Sequence, residues 1–164
     1  MKISKKIEKG FTLIEILVVI TIFSVLTILV TQTIIFSLRS TKKSESLNQA
    51  RQNLDYAAQI VERHIRNADR IETCSGSPVT SISYYDAYGI ASSFSCVSDY
   101  VASGSYRLTS QEVSLTQCQF TCKRSSSSGV PDTVIIEFGG TTTEATGVEG
   151  AEVTVQTRAS LRSY

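Results

Sequence analysis

The sequence has no helix breakers in its apolar half and few cations in its polar half. Residues 11–72 contain neither proline nor glycine, and residues 16–38 contain no charged residue. Lys and Arg number 16 against 15 Asp and Glu, and only five of those cations follow residue 72. Binding to nucleic acid through charge requires a basic surface. The polar half is therefore not predicted to bind nucleic acid.

Motifs of catalysis and cofactor binding are also missing. The sequence contains no G-x-S-x-G, no phosphate-binding glycine loop, no H-E-x-x-H and no EF-hand ligand series. His64 is the single histidine and is interpreted as a solvated helix residue. Asp86, Asp99 and Asp132 would make a calcium site only if the fold gathered them, because no ligand pattern connects them in sequence. We predict that the protein is not an enzyme, and we assign it no cofactor and no metal.

The uncharged segment is long enough to cross a membrane. Its 23 residues would form about 34 Å of helix, which spans a bilayer core. No Ala-x-Ala cleavage signal follows it, so the anchor is expected to be retained. A short basic tail precedes it and favours a cytoplasmic N-terminus, with lysines at Lys2, Lys5, Lys6 and Lys9.

A conspicuous motif stands where the basic tail meets the apolar segment. Residues 9–15 read KGFTLIE, so that Glu15 lies inside apolar sequence, where an ionisable group is costly. The order of basic leader, Gly10, Phe11, Glu15 and apolar helix closely resembles the class III signal of type IV pilins and type II secretion pseudopilins. In that family a prepilin peptidase cuts after the glycine and methylates the new N-terminus. The resemblance implies cleavage between Gly10 and Phe11 and N-methylation of Phe11.

The same resemblance gives Glu15 a role in assembly. In the family this acid is thought to pair with the N-terminal amine of a neighbouring subunit, here that of Phe11. Because removal of one member of a buried ion pair costs about 3 to 5 kcal/mol, such a pair would fix the axial register of packed helices. The alternative is an interfacial Glu15 that reaches to lipid headgroups.

Beyond the membrane segment the pattern is amphipathic. Apolar residues recur at helical spacing on one stripe, which is more typical of a seat for a β-sheet than of a coiled coil: Leu47, Ala50, Leu54, Ala57, Val61, Ile65, Ala68 and Ile71. Residues 48–57 and 61–68 are similar to the arm of J-type minor pseudopilins and W-type minor pilins. Major pilins often have helix breakers in the membrane segment, whereas Ser24 and Gln32 occupy the matching positions here.

After Cys74 the period changes from helical to two. Strands are predicted at residues 81–85, 93–97, 106–108, 113–122, 133–138 and 152–161. Residues 125–132 and 139–144 are predicted to be loops. The densest aromatic cluster is interpreted as hairpin packing rather than as a platform for glycans or bases, and consists of Tyr84, Tyr85, Tyr88 and Tyr100.

The four cysteines all lie in this polar part and are disulfide candidates. On an oxidising side of the membrane Cys74, Cys96, Cys118 and Cys122 would form two bonds in one of three arrangements. In a continuous strand Cys118 and Cys122 are about 13 Å apart, too far to pair with each other. A bulge or turn between them would reverse that inference, and a zinc site is the weaker competing interpretation.

Together these features predict an α+β, pilin-like fold with a long N-terminal helix, half membrane-spanning and half amphipathic, packed against a C-terminal antiparallel β-sheet head. Its parts are a cleaved leader at 1–10, an assembly helix at 11–38, a helical arm at 39–72 and a head at 73–164. The resemblance implies a filament subunit, most simply a minor one, of a type IV pilus or type II secretion pseudopilus. The alternatives are a major pilin and a membrane-tethered adhesin or DNA-capture head.

The resemblance also implies partners and a location. The partners are other pilin or pseudopilin subunits, the prepilin peptidase and methyltransferase, the inner-membrane assembly platform and, before assembly, membrane lipid. The chain is expected to cross the cytoplasmic membrane once, with its N-terminus inside and its head outside, and then to enter a periplasmic or extracellular filament.

Overall fold

A computed structural model describes residues 10–125, 130–143 and 152–162. The chain divides into two units, Met1–Thr41 and Lys42–Tyr164. One long helix, α1, runs from Leu13 to Arg66 and contributes to both. The continuity of α1 agrees with the absence of proline and glycine from residues 11–72, because either residue weakens or ends a helix.

In the first unit α1 is exposed on every face. It begins after Thr12, whose carbonyl accepts hydrogen bonds from the amides of Glu15 and Ile16. Its hydroxyl side chains donate to carbonyls three or four residues earlier, and the donors are Thr21, Ser24, Thr27, Thr31, Thr33 and Thr41. This local bonding satisfies the hydroxyl protons without help from water.

In the second unit α1 buries one stripe beneath the head. The stripe consists of Ala50, Leu54, Ala57, Ala58, Val61 and Ile65. The helix ends at Arg66, earlier than the boundary at residue 72 expected for the helical arm. Ala68 and Ile71 are buried as the helical spacing suggested, but Ile71 reaches the core from a strand. The spacing of apolar residues thus identified buried positions without locating the helix end.

The described part of the head contains nine strands, and every strand pair in it is antiparallel. They are β1 Arg70–Ile71, β2 Pro78–Val79, β3 Ser81–Tyr85, β4 Ala91–Val97, β5 Tyr100–Ser103, β6 Tyr106–Arg107, β7 Val113–Lys123, β8 Thr133–Thr142 and β9 Val153–Ser160. They form two sheets, with orders β1-β3-β4-β5-β6 and β2-β7-β8-β9. The α+β architecture predicted from the sequence is confirmed, with two sheets in place of a single one.

All six predicted strands are present, and three short ones were missed. β5 pairs with β4 across a turn at Ser98 and Asp99, where Ser98 has a φ of 39°. Neither residue is the glycine or asparagine that usually marks such a turn. β1 and β2 have two residues each, too few to show any periodicity.

The prediction of a loop at residues 139–144 is wrong for residues 139–142, which belong to a strand. Gly139, Gly140, Thr141 and Thr142 extend β8, which pairs with β7 through a bulge between Leu115 and Gln117. A Cβ on Gly140 would lie 2.9 Å from the carbonyl oxygen of Ser114. The glycine at this position allows close packing rather than a turn. Residue 144 lies outside the described residues, as do residues 126–129 of the other predicted loop, 125–132.

The core of the head lies between α1 and the sheets. Its largest fully buried side chains include three phenylalanines, Phe94 from the first sheet and Phe120 and Phe138 from the second. The rings of Phe120 and Phe138 meet edge to face, with centroids 5.7 Å apart. In β9, Val153, Val155 and Ala159 face inward and alternate with exposed residues, as the period of two predicted.

Candidate functional site

The residues of the KGFTLIE motif that the structure describes stand at the start of α1. Gly10 and Phe11 are exposed and precede the helix. No atom lies within 4 Å of the position that a Cβ on Gly10 would occupy. Packing among the described residues therefore gives no reason for a glycine at position 10. Lys9 lies outside the described residues.

Glu15 lies in the first turn of α1, where the backbone amides at the helix N-terminus favour a carboxylate. Thr12 precedes it by three residues, the spacing of a capping box. Among the described residues, the Glu15 carboxylate has no hydrogen bond or ion pair, and the side chain is exposed. The capping-box hydrogen bond is therefore not formed among the described residues, and the carboxylate is open to an intermolecular partner.

The apolar part of α1 is a large hydrophobic surface without cover from its own unit. It is the one helix in the described part of the chain that is long and apolar enough to cross a membrane, and none of its most apolar window is buried. Soluble monomers rarely expose so much contiguous apolar surface. Together with the signal that precedes it, this helix points to a membrane anchor.

The four cysteines form two disulfides within the head. Cys74 pairs with Cys122 and Cys96 pairs with Cys118, with Cα atoms 4.9 and 5.9 Å apart. Cys118 and Cys122 lie in β7 and do not pair with each other, as the strand geometry predicted. The bulge in β7 lies before Cys118 and leaves the spacing between these two cysteines intact.

One disulfide, Cys96–Cys118, connects strands of the two sheets, and the other attaches the connection between β1 and β2 to β7. Cys96 belongs to β4 of the first sheet, and Cys74 follows β1 of the same sheet, whereas both partners are in β7 of the second. Which cysteine took which partner depended on the packing of the sheets and was open in the sequence.

The three aspartates considered for calcium have separate structural roles. Asp86 Oδ1 accepts hydrogen bonds from the amides of Tyr88 and Ile90 at 2.9 and 2.8 Å. Asp99 lies 3.8 Å from the Arg107 guanidinium, and Asp132 lies 3.7 Å from that of Arg124. The described residues contain no group of three or more His, Cys, Asp or Glu side chains placed to hold a metal.

The tyrosine cluster divides into packed and unpacked members. Tyr84 is buried and stacks on Phe94, with centroids 5.4 Å apart. Tyr85 and Tyr100 lie beneath arginine guanidinium groups, those of Arg70 and Arg107. Hairpin packing therefore accounts for three of the four tyrosines.

Tyr88 is different, because its side chain is 89% exposed at the tip of the β3–β4 hairpin. It stands at the rim of a groove between the end of α1 and that hairpin. The other lining residues are Arg63, His64, Asn67, Tyr84, Asp86 and Ala87. The sequence interpretation of Tyr88 as a packing residue does not hold.

The floor of this groove is fixed by the core. The Tyr84 hydroxyl and His64 Nδ1 are hydrogen-bonded at 3.3 Å, and the His64 ring meets Phe94 edge-on at 5.8 Å. Burial raises the pKa of the Tyr84 phenol, the carboxylate of Asp86 raises it further, and a hydrogen bond with Ser92 opposes the shift. His64 is exposed as predicted, but it also has these contacts.

The comparison with known families identifies the N-terminal segment. Residues 5–31 match the family described as the prokaryotic N-terminal methylation motif. No curated protein and no solved structure matches the chain. The match covers the motif and the start of the apolar helix and does not extend to the head. The chain thus carries a type IV pilin-like class III signal, and this motif is typical of structural subunits that assemble with other pilins after processing by the prepilin peptidase.

Proposed function

We propose that the chain is a structural, non-enzymatic subunit of a type IV pilus-like or type II secretion pseudopilus filament. The observation that carries the proposal is the methylation motif at residues 5–31, which continues into an apolar helix without cover from its own unit. Before assembly lipid covers this helix, and in the filament other subunits take its place. The inner-membrane assembly platform moves the helix from the lipid into the filament.

Processing separates residues 1–10 as a leader from the assembly helix at 11–38, and Phe11 becomes the methylated N-terminus. The open space around Gly10 supports this proposal, because no contact among the described residues requires a glycine there. A peptidase that must bring the backbone close to its own catalytic groups has such a requirement.

Glu15 fixes the axial register of the helix against a neighbouring subunit. Its carboxylate has no partner in the described chain, and cleavage creates an amine at Phe11 of each subunit. In an apolar surrounding an unpaired charge is costly, so that only registers that pair the two charges are favourable. The possible helix cap made by Glu15 is a separate role, and the two can be distinguished experimentally.

The topology that fits the head is a single crossing with the N-terminus in the cytoplasm. The two disulfides support an oxidising location for the head, since structural disulfides are rare in reducing compartments. A minor, tip or priming position follows from the similarity of the arm to J-type and W-type subunits. A major subunit is the alternative, and copy number in sheared filaments distinguishes the two.

The N-terminal peptide mass, measured on protein from the native membrane and from sheared filaments, tests the processing step. We expect a methylated Phe11 terminus in both fractions and an intact leader in the Gly10→Leu variant. An intact Met1 leader in both wild-type fractions would overturn the proposal. A Phe11 terminus in the Gly10→Leu variant would refute the cleavage site.

Glu15→Ala tests the register role. We expect normal processing and membrane insertion but strong loss from filaments, because the amine of the neighbour is left unpaired. Glu15→Gln is the matched control, since it keeps the size and much of the helix capping of the side chain but removes the charge. Loss of incorporation in both variants supports pairing of charges, whereas normal incorporation of Glu15→Gln would leave only a capping role.

A further inference from the structure

The groove beside the β3–β4 hairpin has no role in the filament function proposed above. It lies within the second unit and is lined by the end of α1 and the hairpin. Three of its features suit a ligand: an exposed aromatic ring, hydrogen-bond donors together with an acceptor, and a floor fixed by contacts with the core.

The backbone that carries the exposed aromatic ring is fixed by the hairpin turn. The Tyr88 amide donates to Asp86 Oδ1, and the Gly89 amide donates to the Asp86 carbonyl at 3.0 Å. Gly89 has a φ of +77°, which glycine adopts at little cost. The turn is thereby fixed, while the Tyr88 side chain stays exposed. A ring presented in this way loses little conformational entropy when a ligand stacks on it.

The polar groups around the ring include donors and an acceptor. Arg63 and Asn67, at the end of α1, present N–H donors, and Asp86 presents a carboxylate on the opposite side. The hydroxyl of Tyr84 and the ring of His64 form the floor between them. A ligand with several hydroxyl groups would donate to the carboxylate and accept from the guanidinium and the amide.

The charge of the groove favours a neutral ligand. Arg63 and Asp86 are the two residues with formal charge among those that line it, and their signs are opposite. A polyphosphate chain such as nucleic acid depends on several uncompensated cations. The groove therefore lacks what single-stranded DNA would require, although the ring alone would stack on a base.

We propose that this groove binds a neutral saccharide, with the apolar face of a sugar ring stacked on Tyr88 and its hydroxyl groups hydrogen-bonded to Asn67, Arg63 and Asp86. Loss of the stacking face weakens binding by about two- to tenfold, the range that aromatic contacts provide. Because the groove lies in the second unit, saccharide binding and filament incorporation are separate properties.

Saturation-transfer difference NMR on the full-length protein in detergent micelles tests the proposal. The probes are maltotetraose, cellotetraose, mannotetraose and chitotetraose at about 1 mM, which detects affinities down to the millimolar range. We expect transfer to the ring protons of at least one probe. No transfer to any of the four would overturn the proposal, whatever the outcome of the filament experiments.

Three variants locate the site. Tyr88→Ala should reduce the signal about two- to tenfold, and Tyr88→Phe should retain it because the ring face remains. Tyr106→Ala is the matched control, since Tyr106 is 78% exposed but lies on β6, outside the groove. Equal loss in Tyr88→Ala and Tyr106→Ala, or no loss in Tyr88→Ala, would overturn the assignment of the groove. Transfer to single-stranded oligothymidine that exceeds the saccharide signal would overturn the ligand class.

Discussion

The two parts of α1 illustrate two ways in which an apolar sequence is covered. From Leu13 to Thr41 the helix is apolar on all sides, and none of its residues is buried. From Lys42 to Arg66 apolar residues occupy one stripe, which the head covers. Hydrophobic burial is the main favourable term in both cases, but among the described residues only the second part obtains it within its own unit. The first part is stable only with lipid or other subunits around it.

This difference predicts that the same substitution destabilises the core that covers the second part of α1 but leaves the head unaffected when it is made in the first part. Phe138 is fully buried in the head, whereas Phe36 is 76% exposed on the helix. We expect Phe138→Ala to reduce the free energy of unfolding of the head by about 3 to 5 kcal/mol, because it leaves a cavity in the core. Urea unfolding in detergent micelles, followed by near-ultraviolet circular dichroism of the tyrosines, measures this change.

Phe36→Ala is the matched control and should leave head unfolding unchanged. It should act only on membrane extraction or filament incorporation. A loss of head stability in Phe36→Ala similar to that in Phe138→Ala would contradict the division of α1 into externally and internally covered parts.

Removal of a disulfide should lower the free energy of unfolding of the head, by somewhat less than Phe138→Ala does, and should leave the membrane anchor unaffected. The bonds close segments of 48 and 22 residues, for which loop entropy predicts losses of about 3 to 4 kcal/mol each. We expect the pair Cys74→Ser and Cys122→Ser to cost more than the pair Cys96→Ser and Cys118→Ser. The former bond closes the longer loop, and Cys122 is buried, so that its serine would place a hydroxyl in the core.

The same urea experiment on the two double variants measures this order. Carbonate extraction of membranes is the control, because the anchor should remain inserted in both. A reversed order would contradict the ranking by loop length and burial, and loss of the anchor from the membrane would show that the head and the anchor are not independent.

The smallest expected effect concerns pH and the floor of the groove. Because the pKa of Tyr84 is raised in the folded head, the unfolded chain loses this proton first as pH rises. The contribution of Tyr84 to stability is complete below its unfolded pKa of about 10 and is lost as pH rises through the folded pKa. Tyr84→Phe should therefore flatten the alkaline decline of stability.

Tyr106→Phe provides the control, since Tyr106 is exposed and outside the core. Stability of wild type and both variants, measured by urea unfolding between pH 8 and pH 11, tests the prediction. An alkaline decline as steep in Tyr84→Phe as in wild type would mean that another group accounts for it.

Much of the architecture could be predicted from the sequence because it depends on periodicity. The change from a period near 3.6 to a period of two located the helix and six strands, and the alternation in β9 gave its inward face. Short strands were missed, since Arg70–Ile71 and Pro78–Val79 contain too few residues for any pattern. The Gly139–Gly140 pair was misread as a loop, because a glycine that permits close packing looks the same in sequence as one that permits a turn.

The functional residues divide in the same way. Gly10, Phe11 and Glu15 could be predicted as candidates because they lie in contiguous sequence, and the match at residues 5–31 agrees with the class of signal. The groove brings together residues from α1 and from a hairpin some 20 positions later. No spacing rule connects Asn67 to Tyr88, and the exposure of Tyr88 followed only from the turn that presents it.

The sequence by itself determined the signal, the anchor and the order of helix before sheets, because each depends on composition or spacing along the chain. Only the tertiary structure decided where α1 ends, which cysteines pair, and which tyrosine stays exposed. Those outcomes depend on distances between segments far apart in the chain. They are set when the two sheets pack on α1, since only then do Cys74 and Cys122 meet and Tyr88 remain outside the core.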